Sequence, residues 1–154
     1  MKNFQLRILM IQLVASCLLF LGIQQLYVLA EMDLIELIHS IGKDNFAYYV
    51  QKSDEFGISN QLKRLSTTKI ILSIIGIALA YVSCAMINFK RNYDYKMSLI
   101  VVLFCLLVYE FKFLDLPTKF FLNQGLEVAF IGTSVFAIMM SVLLFVYSYR
   151  TNKL

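Results

Sequence analysis

Between Arg7 and Glu31 the chain runs for 23 residues, Ile8 to Ala30, without one charged side chain. At 1.5 Å of rise per helical residue, about 20 such residues cross the roughly 30 Å of hydrocarbon in a bilayer. Hydrocarbon offers a peptide group no partner, so a stretch of this kind must satisfy its backbone internally, as a helix. Two more stretches repeat the pattern. Ile70 to Phe89 lies between Lys69 and the pair Lys90 and Arg91, and Val128 to Tyr149 lies between Glu127 and Arg150. A further stretch is uncharged only from Met97 to Tyr109, 13 residues, which is too short to cross. It is expected to continue through Phe111, Phe113 and Leu114 to the break at Asp115-Leu116-Pro117, where proline removes a helix donor and restricts its predecessor. The expected fold is therefore all-α: an integral membrane four-helix bundle, one transmembrane domain over 1–154, with spans at about 8–30, 70–89, 97–116 and 128–149. Residues 31–69 form a helical extracytoplasmic loop between the first and second spans.

Composition points the same way. Of 154 residues, 60% are hydrophobic and 16% charged, whereas a soluble chain covers its surface with about a quarter charged residues. The net charge of +4 is scattered, so no nucleic-acid footprint is expected. Cys17, Cys84 and Cys105 each sit in an apolar run with no CxxC pairing, and His39 is the single histidine. That usage predicts neither a disulfide framework nor a zinc site, and one histidine excludes bis-histidine haem ligation within the chain. No Gly-rich phosphate loop, HExxH, nucleophile-base pairing or carboxylate cluster is present in the sequence. The expectation is a non-enzyme without cofactor or metal.

The N-terminus has two processing signals to weigh. Met1 to Arg7 is a short basic region, and Val28-Leu29-Ala30 offers small residues for cleavage, but the apolar stretch between them exceeds the 7 to 15 residues typical of a signal peptide. Leu13-Val14-Ala15-Ser16-Cys17 resembles the lipobox of bacterial lipoproteins, which implies lipidation at Cys17. The following Leu18-Leu19-Phe20-Leu21 replaces the polar linker of a mature lipoprotein, so an uncleaved span is expected.

Four spans place both termini and the link 90–96 on one side. Those segments (1–7, 90–96 and 150–154) hold seven Lys and Arg and one acid in 19 residues, against seven Lys and Arg and nine acids in the 57 residues of 31–69 and 110–127. Basic density governs orientation and places both termini in the cytoplasm, with Lys63, Arg64 and Lys69 counting the other way. A bacterial inner membrane is the expected location.

Within the loop, Leu34, Ile35, Ile38 and Ile41 fall in helical phase, with Gly42 as a stop. Asp44 or Asn45 is expected to cap a second short helix carrying Phe46, Tyr49 and Val50, and Ser59 or Asn60 a third that runs into the second span. Leu34, Ile35, Ile38, Phe46 and Tyr49 are the candidate contact residues for a membrane or periplasmic protein partner. The same stripe suits lying on the bilayer interface, packed over the bundle mouth, which is the simpler reading. Inside the spans, amides and hydroxyls divide into an inner layer (Gln12, Asn88, Ser98) and an outer one (Gln24, Gln25, Ser73, Thr133, Ser134). Polar side chains there serve as interhelical glue. Small-residue stripes, Gly76-Ala80-Cys84 and Ser134-Ala137-Ser141, suit close helix packing within the chain or in a homo-oligomer.

Glu110 is the one acid expected inside a span, about two-thirds of the way across, with Lys69 and Lys112 near it in depth. An ionisable group there marks an ion or proton site unless a cation pairs with it. Two functions follow. The first is an accessory, assembly, sensory or immunity-type component working by binding. The alternative is a small transporter or channel subunit using Glu110, helped by Gln24 and Ser134.

Overall fold

The computed structural model describes residues 6–41, 43–90, 96–110 and 128–150, with the side chains of 43, 44 and 108–110 outside that description. Among the described residues the chain is all-helical and has no strand. Helix α1 (Leu6–Gln25) tightens into a 3₁₀ segment (Leu26–Ala30); α2 (Met32–Ile41) and α3 (Lys43–Gln51) follow; then come α4 (Ser59–Lys90), α5 (Lys96–Glu110), a π turn (Val128–Gly132) and α6 (Thr133–Arg150). Three of these units are long and apolar enough to cross a membrane: Leu6–Ala30, Ser59–Lys90 and Val128–Arg150. The expected third span is described only as the shorter apolar helix α5, and its continuation through 111–116 lies outside the described residues.

Helix α1 is the axis of the fold. It packs most extensively against α6, then α4, then α5, and half of its apolar window is buried, against 22% for α4 and 33% for the last helix. Both small-residue stripes are buried and both serve α1. Gly76 lies so near Phe20 that an added Cβ would stand 3.3 Å from its ring, while Ser141 donates to the Ala15 carbonyl at 2.7 Å. The closest approach is from the α1 side, where a Cβ on Gly22 would meet the Ser134 carbonyl at 2.8 Å and Ile138 at 2.6 Å. Helices without a hydrophobic drive to associate need such close backbone approach.

The loop differs in detail from its expected form. Asp44 and Asn45 lie inside α3, which begins at Lys43, so neither caps it; Asn45 Nδ2 instead donates to the Ile41 carbonyl at 3.2 Å, closing the end of α2. A capping signal read from sequence shows only that a polar side chain is free to bond a helix end, not which of two adjacent ends it serves. After α3, residues 52–57 form turns ending at Gly57, whose φ of 68° is a left-handed conformation that costs glycine little. Helix α4 starts at Ser59 and continues unbroken for 32 residues. At 1.5 Å per residue it is about 48 Å long, so its first eleven residues extend about 16 Å ahead of the apolar stretch.

Candidate functional site

Burial in the bundle is inverted relative to a soluble protein. Gln12, Ser16, Asn88, Ser98, Ser134 and Ser141 are each 1% exposed or less, while Ile74, Phe89, Leu103 and Phe136 are each at least 60% exposed. Interior polar atoms meet across helices. At the end of the bundle near Lys90, Gln12 Nε2 donates to Asn88 Oδ1 and Asn88 Nδ2 donates to Ser98 Oγ, both at 2.9 Å, joining α1, α4 and α5. Midway, Ser16 Oγ lies 3.3 Å from Cys84 Sγ and Cys17 Sγ lies 3.8 Å from Cys105 Sγ. At the opposite end, near Lys69, Gln24 Nε2 donates to Ser73 Oγ at 3.0 Å, and Ser73 donates to the Lys69 carbonyl at 2.7 Å. Each interhelical bond of this type contributes about 0.6 to 2 kcal/mol in a bilayer.

The π turn gives the outer layer its densest polar contact. Thr133 Oγ1 stands 2.8 Å from Gln25 Oε1, 2.5 Å from the Ala129 carbonyl and 3.1 Å from the Phe130 carbonyl. One hydroxyl proton cannot serve three acceptors. Turning the Gln25 amide over makes its nitrogen a donor to Thr133 and leaves the hydroxyl proton for the carbonyls, which satisfies the group. Wider helical turns free carbonyls in this way, and here a threonine and a glutamine take them up.

Of the residues expected to form an ion site, Gln24 and Ser134 are described and each has a hydrogen-bond partner. Gln24 bonds Ser73, and Ser134 donates back to the Phe130 carbonyl at 2.8 Å. Glu110 is the last residue of α5 and its side chain lies outside the described residues. Lys69, expected to reach toward it, stands over the Tyr27 ring, 5.3 Å from the centroid. Among the described residues no three of His, Cys, Asp and Glu gather into a metal-binding group.

The expected contact stripe divides. Leu34 and Ile35 are 1% and 8% exposed, so they are core of the outer segment and offer no docking surface. Ile38, Phe46 and Tyr49 are half-buried. Sequence periodicity misses the surface beside them. Tyr49 stacks on Phe56 with centroids 4.7 Å apart, and Tyr48 meets both rings edge-on at 6.0 and 6.2 Å. Tyr48, Val50 and Phe56 are exposed, and Lys52 spans the group, 5.6 Å above Tyr48 and 2.9 Å from Glu55. Phe56 falls beyond the end of α3, out of phase with the helix, and only the turn before Gly57 brings it back. The segment is tied to α4 by an ion pair of 3.0 Å between Arg64 and the largely buried Glu31.

At the other end Arg7 donates to the Tyr147 hydroxyl at 3.2 Å, and Lys90 lies 3.4 Å from the Tyr149 centroid. Tyrosine beside Lys or Arg is the pairing favoured at a membrane–water interface. No protein-family model matches this chain, and neither a curated protein nor a solved structure matches it.

Proposed function

We propose that the chain is a four-span protein of a bacterial inner membrane, with both termini cytoplasmic, that acts by binding. It is an accessory, assembly, sensory or immunity-type component, and its working surface is the outer segment 32–58. The observation that carries this reading is the exposed apolar group of Tyr48, Val50 and Phe56, in which Phe56 stacks on Tyr49 and meets Tyr48 edge-on, on a segment that has already buried Leu34 and Ile35. Aromatic side chains are enriched among the anchors of protein interfaces. The inverted burial supports the membrane placement, and the basic segments around Arg7, Lys90 and Arg150 support the orientation. Two of the three cations that oppose that orientation, Arg64 and Lys69, are engaged with Glu31 and Tyr27.

The test is a photo-crosslinking amino acid at position 48 of the full chain in its own membranes. A crosslinked protein in stoichiometric yield, lost in the Phe56→Glu variant, is the expected result. Crosslinking to lipid alone would mean that the aromatics lie on the bilayer and would remove the binding function.

A further inference from the structure

Cys17 and Cys105 are 88 residues apart in sequence, yet their sulfurs stand 3.8 Å from each other across α1 and α5. They come together because each lies about 14 to 17 Å along its helix from the inner end. On the membrane placement proposed above, that is the middle of the hydrocarbon. We propose that Cys17 and Cys105 are an oxidisable dithiol site, closed to an intramolecular disulfide by a lipid-soluble quinone.

Three observations on the molecule support this. A disulfide has its sulfurs about 2.05 Å apart, so the pair, now 3.8 Å apart, must close by about 1.8 Å. The third thiol, Cys84, is buried in the same core cluster but lies against Ser16 Oγ at 3.3 Å, whereas the sulfur of Cys105 faces that of Cys17. Finally, access is one-sided. Cys105 is buried at 2% exposure, whereas Cys17 is half-buried, at a depth where the surrounding surface is Val14, Leu103, Phe104 and Leu107. A reagent reaching Cys17 there must dissolve in lipid. In the reaction two S–H bonds break and one S–S bond forms; the two protons and two electrons pass to the quinone, which leaves as the quinol. The product staples α1 to α5 at mid-depth.

The experiment counts thiols in the full-length protein in its own membranes. After incubation with a decyl-chain benzoquinone, the protein is denatured, alkylated and weighed. Expected is a fall from three alkylatable thiols to one, in a monomer two hydrogens lighter. Three remaining thiols, or a disulfide-linked dimer, would overturn the proposal. Cys84→Ser is expected to fall from two thiols to none, whereas Cys105→Ser should keep both of its thiols. Loss of both from Cys105→Ser would assign the bond to Cys17 and Cys84 and overturn the pairing. Because the site rests on the membrane placement, the same membranes are washed in alkaline carbonate: release of the protein would refute the placement whatever the thiol count.

Discussion

In the bundle, Gln12, Ser16, Asn88 and Ser134 are buried while Ile70, Ile74, Phe89 and Phe136 are exposed; in the outer segment, Leu34, Ile35 and Ile58 are buried while Asp33, Glu36, Asp54 and Glu55 are exposed. The same chain sorts its side chains in opposite senses within about 60 residues. Each region turns outward what its surroundings solvate. In the outer segment apolar burial drives packing, at about 25 cal/mol per Å². In the bundle, whose exposed faces are apolar, close contact at Gly22 and Gly76 and the bonds of Gln12, Asn88 and Thr133 join the helices. The changeover falls within one helix, at Lys69 and Ile70.

The contrast can be broken by substitutions that test each region through the force that holds it. The largest effect is expected at Leu34, 1% exposed: Leu34→Ala should cost about 2–5 kcal/mol locally. Hydrogen exchange should then lose protection over 32–51 and keep it in α1 and α6; loss of protection everywhere would mean that the two regions are one cooperative unit. Next is Gly22→Val, whose side chain has no room against the Ser134 carbonyl and Ile138, and which should destabilise the α1–α6 contact by about 1–3 kcal/mol in denaturant titrations of the detergent-solubilised protein. A neutral outcome there would show that α1 and α6 are not closely apposed. Smallest is Gln12→Leu. It removes the one bond to Asn88 and should cost about 0.6–2 kcal/mol; added to Asn88→Leu it should fall short of additivity, since the two substitutions remove one shared bond. Full additivity would uncouple the pair.

Much of the helical layout is legible in the sequence because hydrocarbon thickness acts as a ruler: a charge-free run as long as Ile8 to Ala30 matches the depth of a bilayer and exceeds what a soluble core helix needs. The start of α4 falls at Ser59, where the polar pair Ser59-Asn60 marks it in the sequence. Both lie inside the helix and the residue ahead of it is Ile58, so the expected cap is not what begins it. Pairing is not legible. Gln12 and Asn88 are 76 residues apart, Thr133 and Gln25 are 108 apart, and two cysteines in separate apolar runs carry no mark that they will meet. Periodicity also gives an apolar face without naming its cover. It offers Leu34 and Ile35 to a partner protein, whereas the chain itself covers them. Phe56 escapes a periodic reading because a turn, not a helix, returns it to Tyr49.

Helix α4 is one uninterrupted rod from Ser59, beside the aromatic group, to Lys90, beside Tyr149. Rods do not bend cheaply in the middle; an intact α-helix without proline or a wide turn rotates and tilts as a unit. Arg64 and Asn88, about 36 Å apart along it, are therefore expected to move together when α4 tilts or rotates. Segment 32–58 and the bonds of Asn88 thus sit at the two ends of one helix, with the close contact of Gly76 on Phe20 between them.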